Sequence, residues 1–244
     1  MQKKLVMLTA YDYPSAKILE EVGVDYILVG DSLAMTILGH PDTKSVTMDE
    51  MLHHVTAVVR GAPTSKIVAD MPIHSYTSAP LALKNARQFM AIGAYAVKIE
   101  GADTAVIKTL IDHAIPVVGH LGLLPQTANK YTVYGRDEKE AQTIRADAKK
   151  LDALGITALV LECVPAGLAK QISNEITAPT IGIGAGIDCD GQVLVLADII
   201  GLSDFKGKMV KQYADVKTII KQAVTAFKSD VQEEKFPGKE NTFV

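Results

Sequence analysis

Residues Tyr26–Met35 read YILVGDSLAM. An apolar run with the composition of a buried strand stops abruptly at Gly30, Asp31 and Ser32. An aspartate at the mouth of a hydrophobic core has to be hydrogen-bonded, paired or bound to a cation, because burying it alone costs on the order of several kcal/mol. The pattern recurs along the chain. Strand-like runs LVMLTAYD, DYILVGDS, SKIVADMP, AYAVKIEG, VVGHLGL, TALVLECV, APTIGIGAG and QVLVLAD alternate with segments of helical period, among them YPSAKILEEVG, MDEMLHHVTAVVRG, PLALKNARQFMAIG, DTAVIKTLIDHAI, DEKEAQTIRADAKKLDALG and PAGLAKQISNEI. Most of the helical segments end in Gly or run into Ala-Pro, as helix C-termini prefer. Such alternation predicts βα units and a parallel sheet. Eight strands predict a closed (β/α)8 TIM barrel, which removes both sheet edges and takes about this much chain. An open doubly wound sheet is the alternative.

The 244 residues carry no Pro/Ser/Gly-rich linker, so a single barrel domain over 1–244 is expected, with a charged C-terminal extension from about 228. Hydrophobic residues make up 48% and charged residues 22%, enough apolar material for a sizeable core. A net charge of -3, a pI near 6.1 and the lack of a Lys/Arg cluster argue against nucleic acid as a partner. No membrane span is expected either: the longest apolar runs are too short, and VLVLADIIGL is broken by Asp198. The start MQKKLVMLTAYD passes directly into a strand pattern without a cleavage site, so a cytoplasmic location is expected. Cys163 and Cys189 have no disulfide framework around them and read as reduced thiols. Cys163 follows Glu162 directly and is expected to face the helices as a core residue.

In a barrel, chemistry gathers at the C-terminal ends of the strands. The polar residues fall there: Asp31 and Ser32 after the second strand, Asp70 after the third, Lys98 and Glu100 on the fourth, His120 on the fifth and Glu162 on the sixth. Lys98 and Glu100 are two apart and share a strand face. Any one of these acids, taken alone, reads as a helix cap or a rim salt bridge. Four carboxylates around one axis repel and raise each other's pKa values unless positive charge intervenes. Oxygen ligands without a Cys/His cluster suit Mg2+, which binds through one or two carboxylates and keeps waters or substrate oxygens. Such an ion can chelate an α-keto acid and stabilise the enolate formed beside its carbonyl. A carboxylate base on another strand removes the proton, and Lys98 balances the negative charge. The reaction class is carbon-carbon bond making or breaking beside a carbonyl, and spacing goes no further.

Other residues read as structural. His53 and His54 are adjacent on a helix and point about 100° apart. IGIGAG lacks the spacing of a nucleotide fingerprint, with Ile187 where the last Gly would stand. Gly182, Gly184 and Gly186 are expected to share a strand face that either leaves room for a ligand or packs backbone closely. Tyr11 and Asp12 end the first strand, where they serve the pocket or a helix cap, and the site as read leaves them out.

The strings LTAYDY, VGDSLAM, RGAP, VADMP, VKIEG, GHLGLLPQ, LVLECVP, IGIGAG and DGQVLV, with FPGKENTF near the C-terminus, carry a resemblance. The chain resembles the ketopantoate (3-methyl-2-oxobutanoate) hydroxymethyltransferase family from near Leu5 to its C-terminal region. The resemblance implies a barrel of the phosphoenolpyruvate/pyruvate-domain type and an enzyme of pantothenate and coenzyme A biosynthesis. That enzyme transfers a hydroxymethyl group from 5,10-methylenetetrahydrofolate to α-ketoisovalerate, giving ketopantoate. It also implies Asp31 and Asp70 as Mg2+ ligands with Glu100 completing the site through water. Asp31, Ser32, Asp70, Lys98 and His120 then line the keto-acid site, and Glu162 is the catalytic proton acceptor. A homodecamer of two stacked pentameric rings is implied as well. The chain departs from the family pattern in beginning almost on its first strand. It also has Ala34 for the usual Gly and keeps only Tyr134, Gly135 and Arg136 of the loop GGYKVQGR. A Mg2+-dependent carbon-carbon lyase of the same fold is the second enzymatic reading, weakened because neither cysteine lies in a loop after the fourth strand. A silent barrel that only binds an acidic metabolite is the third, and it needs no base such as Glu162.

Overall fold

The computed structural model describes residues 3–243. The chain divides into two compact units, one ending at Val195 and one beginning at Leu196. That boundary lies ahead of the extension expected from about 228, a point that falls inside a continuous helix, Val216–Gln232.

In the first unit eight parallel strands close into a barrel in chain order. They are β1 (Leu5–Thr9), β2 (Tyr26–Val29), β3 (Ile67–Asp70), β4 (Ala96–Glu100), β5 (Val117–Gly122), β6 (Ala158–Glu162), β7 (Thr180–Ile183) and β8 (Gly191–Leu194). The interior is packed by Met7, Tyr26, Leu28, Val68, Ala96, Val118, Val160, Ile181 and Val193. Side chains alternate across a strand, so the residues two positions further on continue the same inner face. From Val68 this leads to Asp70, from Ala96 to Lys98 and Glu100, from Val118 to His120, and from Val160 to Glu162. The apolar plug therefore sits below, and the charged layer sits at the C-terminal mouth.

Around the barrel lie α1 (Tyr13–Val22), α2 (Leu33–Thr36), α3 (Met48–Gly61), α4 (Ala79–Ala91), α5 (Thr104–Asp112), α6 (Glu138–Ala153) and α7 (Ala166–Glu175). Their starts are set by side chains that accept from orphan N–H groups: Asp12 from Ser15, Asp103 from Ala105 and Val106, and Asp137 from Glu140. Thr47 and Glu50 form a full capping box at α3. Apolar residues at helical spacing face the strands, as with Met51, Val55 and Val58 on α3 and Ala82, Ala86 and Phe89 on α4. Replacing the fully buried Phe89 by Ala would cost about 3–5 kcal/mol. At Gly61 a Cβ would lie 2.4 Å from Tyr13 O, so only glycine lets α3 approach α1 this closely.

Strict alternation of strand and helix fails once. From β7 the chain returns to β8 through residues 184–190 with no helix between. Gly184 and Gly186 belong to this return, with φ of 64° and 86°, and not to the strand face expected for them. The face at Gly182 is not an open ligand space, since a Cβ there would meet Cys189 Sγ at 3.0 Å and Gln192 Nε2 at 3.2 Å. Close packing, not a ligand gap, explains the glycine.

The second unit contains α8 (Leu196–Ile199) and α9 (Val216–Gln232). Asp198 of α8 accepts from the Ser203 hydroxyl. Asp215 caps α9, along which Ile219, Ile220, Val224, Phe227 and Val231 are exposed. Among the described residues no helix is long and apolar enough to cross a membrane.

Candidate active site

Each strand from β2 to β6 delivers a polar group to the mouth, because its apolar run ends where the barrel interior ends. After β2, Gly30 turns the chain so that the Asp31 N–H donates to Asp70 Oδ2 at 3.0 Å. A Cβ on Gly30 would sit 2.9 Å from Ser32 Oγ. Ser32 begins α2 without capping it through its side chain, and its hydroxyl instead lies 2.7 Å from the Tyr11 hydroxyl. Lys98 reaches up from β4 with Nζ 3.2 Å from Asp70 Oδ2 and 3.3 Å from His120 Nδ1. Glu100, one inward position further, has Oε1 3.6 Å from His120 Nδ1. The other face of the His120 ring puts Nε2 3.2 Å from Glu162 Oε2, without the alignment of a hydrogen bond. Asp31, Asp70, Lys98, Glu100 and His120 are all buried, and Glu162 is partly open.

Burial dominates the electrostatics. It pushes Asp70 up to about 7 and Glu100 up to about 8, while the Lys98 ammonium pulls both back. Burial likewise raises Asp31, again opposed by Lys98. Burial acting alone would lower Lys98, but Asp70, Glu100 and Asp31 together outweigh it and hold the ammonium above its ordinary range. His120 is lowered by burial first and by Lys98 second, which favours the neutral ring. A charged Lys98 has no lone pair to offer, so Nδ1 of His120 accepts and the ring proton resides on Nε2, facing Glu162.

Three buried carboxylates against one ammonium leave the layer short of positive charge. Asp70 Oδ1 and Glu100 Oε1 are buried with no hydrogen-bond partner, each costing about 1–3 kcal/mol if left so. The donor set is hard oxygen, which suits Mg2+. Among the described residues no three His, Cys, Asp or Glu side chains already converge on a single ion position. Mg2+ fits this arrangement through one or two carboxylates and water, not through a closed protein cage.

The site includes two residues that the strand-end pattern does not single out. Tyr11 turns inward from the end of β1, 5% exposed, and its phenol is pushed up to about 12 by burial. Asp12 beside it caps α1. Gln126, in the loop after β5, donates from Nε2 to Asp31 Oδ2 at 2.8 Å. His54 Nδ1 lies 2.7 Å from Tyr11 O and has a structural role, as its helix position predicts. Neither cysteine is in a disulfide. Cys163 lies just past β6 with φ 49° and is half-buried, and burial then Glu162 push its thiol up to about 11, so it is a poor nucleophile. Beside the charged layer, the loop after β5 encloses a cleft of about 400 Å³ lined by Gly122, Leu124, Asn129, Lys130, Thr132 and Tyr134, among others. Gly122, which lines the cleft, pairs with Glu162 in the β5–β6 register.

The family model described as Ketopantoate hydroxymethyltransferase matches residues 1–239. A 3-methyl-2-oxobutanoate hydroxymethyltransferase of Caldicellulosiruptor saccharolyticus is 51% identical over 99% of this chain and 94% of its own length. The enzyme of that name from Moorella thermoacetica is 49% identical over 99% of this chain and 93% of its own. Among solved structures, phosphoenolpyruvate phosphomutase from Streptomyces platensis subsp. rosaceus superposes with a TM-score of 0.64 at 14% identity, covering 96% of this chain and 85% of that one. Phosphonopyruvate hydrolase, solved with oxalate and Mg2+, does so with a TM-score of 0.62 at 12% identity, covering 98% and 88%. These two likenesses speak to the barrel alone.

Proposed function

The chain belongs to the ketopantoate hydroxymethyltransferase family, and from that premise we propose how its residues carry out the transfer of a hydroxymethyl group to 3-methyl-2-oxobutanoate. The observation that carries the reading is the charged layer at the mouth of β2 to β6, where an ammonium, a neutral imidazole and a partly open carboxylate stand in sequence beside buried acids. Asp31 and Asp70 would hold Mg2+, with Glu100 joining through water. When bound, that ion supplies Lewis-acid polarisation of the keto group.

The chain's own groups do the rest. Lys98, fixed between Asp70 and His120, presents positive charge to the substrate carboxylate and to the oxygen that becomes negative. Ser32, held by Tyr11, offers a hydroxyl to the same molecule. Glu162 Oε2 takes the proton from C3, and the C–H electron pair moves toward the carbonyl to give the enolate. C3 then forms its bond to the one-carbon unit of 5,10-methylenetetrahydrofolate as that carbon's two C–N bonds break; water supplies the hydroxyl oxygen, and the water proton and the proton taken by Glu162 go to the two folate nitrogens, leaving tetrahydrofolate. The cleft of about 400 Å³ in the loop after β5 offers the folate room. The Nε2–H of His120 faces Glu162 Oε2 at 3.2 Å and sets a donor edge beside the base. The reading includes a cytoplasmic homo-oligomer, decameric by the family resemblance, whose mass light scattering measures.

The test is direct. Incubating the protein with 3-methyl-2-oxobutanoate, methylenetetrahydrofolate and Mg2+ should yield ketopantoate, and omission of any one should abolish it. Absence of product across pH and metal conditions would overturn the reading.

A further inference from the structure

Gln126 lies in the turn after β5, where the N–H groups of Thr127 and Ala128 fold back on Leu124 O. It is 2% exposed. Its Nε2 donates to Asp31 Oδ2 at 2.8 Å and to Met71 O at 2.9 Å, and its Oε1 accepts from the Tyr76 hydroxyl at 2.5 Å. Its backbone N–H donates to Glu100 Oε2 at 3.1 Å. The direction of the amide follows from its partners: the Asp31 carboxylate and the Met71 carbonyl only accept, so the nitrogen must face them and the oxygen must face the phenol. One residue thereby ties together groups from the ends of β2 and β4 and from the loop after β3.

The two acids it holds are treated alike. Gln126 occupies Oδ2 of Asp31 and leaves Oδ1 for another partner; it occupies Oε2 of Glu100, whose Oε1 is buried without one. A donor that pins one oxygen of a carboxylate fixes which way the other points, and partners of this kind orient metal-binding side chains. Packing alone would not require a fully used amide here, since an apolar side chain of similar size would fill the space without needing three partners.

We propose that Gln126, steered by Tyr76, is a positioning residue that sets the Asp31 and Glu100 carboxylates in the orientation in which they hold a divalent cation. The inference rests on the reading of Asp31 as a ligand of that ion. It is tested by calorimetric titration of Mg2+ alone into the full chain and its variants Asp31→Ala, Gln126→Ala and Tyr76→Phe, with thermal melting of each. Asp31→Ala should lose Mg2+ binding. Gln126→Ala should weaken it about 10- to 100-fold, the range for partners of metal ligands. Tyr76→Phe keeps the ring and its packing, so a loss of about 2- to 10-fold at an unchanged melting temperature reports orientation of the amide by one hydrogen bond. If Asp31→Ala loses Mg2+ while the other two bind like wild type, the inference is overturned and Asp31 stands. If Asp31→Ala binds Mg2+ normally, the ligand reading fails and the inference falls with it. Should Gln126→Ala not fold, Tyr76→Phe decides: weakened binding supports the inference and unchanged binding overturns it.

Discussion

Glu162→Gln separates proton removal from binding. The amide keeps the shape of the carboxylate, and its oxygen can keep the place beside the Nε2–H of His120 that Glu162 Oε2 holds at 3.2 Å. What it cannot do at neutral pH is take a proton. A positioned general base contributes about 10²–10⁴ in rate, or about 2.7–5.4 kcal/mol of barrier. His120, whose Nε2 lies 3.2 Å from Glu162 Oε2, is a poor substitute. Its Nε2 carries the ring proton while Nδ1 faces Lys98, and burial followed by Lys98 lowers its affinity for a second. The loss should therefore exceed about 10². Exchange of the C3 hydrogen of 3-methyl-2-oxobutanoate with deuterated water, followed by NMR of the methine signal with Mg2+ and without folate, isolates the step. Substrate and Mg2+ affinities should match wild type. Exchange within about threefold of wild type, less than about 1 kcal/mol, would refute the assignment of the base.

Asp70→Ala should abolish Mg2+-dependent binding of the keto acid by calorimetry while circular dichroism shows the barrel intact, since it removes a mouth residue and not a core side chain. Tyr11→Phe removes the phenol that meets Ser32 at 2.7 Å, and should raise KM by about 2- to 10-fold, one neutral hydrogen bond, with kcat little changed. Gly122→Ala should destabilise by about 1–3 kcal/mol or more, because φ is 96° and the new Cβ would fall 2.2 Å from Glu162 O; a melting temperature equal to wild type would contradict the geometry. The Cys163 thiol, pushed up to about 11 by burial and then by Glu162, stays protonated below that pH. Its alkylation by iodoacetamide should be slow at pH 8 and accelerate as pH rises, whereas fast labelling at pH 8 would show an exposed thiolate.

The strands and the charged layer were legible because two periodicities coincide: an apolar run defines the strand, and the first polar residues that share its inward face define the mouth. Asp70, Lys98, Glu100, His120 and Glu162 all follow that rule. Tyr11 follows it less clearly, since a Tyr-Asp pair after a strand has two uses. Asp12 took the cap and Tyr11 the interior, and that choice depends on Ser32, which only the β1–β2 pairing brings near. Gln126 was legible only as the last letter of GHLGLLPQ, with no role attached. It is uncharged and lies in a loop, and its side-chain partners Asp31, Met71 and Tyr76 are distant in sequence. Nor did glycine spacing reveal that Cys189 would fold back over Gly182. In each case the deciding contact is long-range, and local pattern carries no record of it.

The helix-free return between β7 and β8 has a kinetic consequence. Gly191 pairs with Ile181 on one side and with Leu5 on the other. The entropy of closing a chain loop grows with its length, so the first pairing is the inexpensive one and the second spans nearly the whole ring. Pairing of β8 with β7 is thus the local step and closure against β1 the long-range one, and the closing seam is the longer of the two, with four residue pairs against two. In a closed ring of this order that seam lies opposite β4 and β5, the strands that carry Lys98, Glu100 and His120. The long-range closure of the ring is thus placed diametrically away from the groups whose spacing matters most.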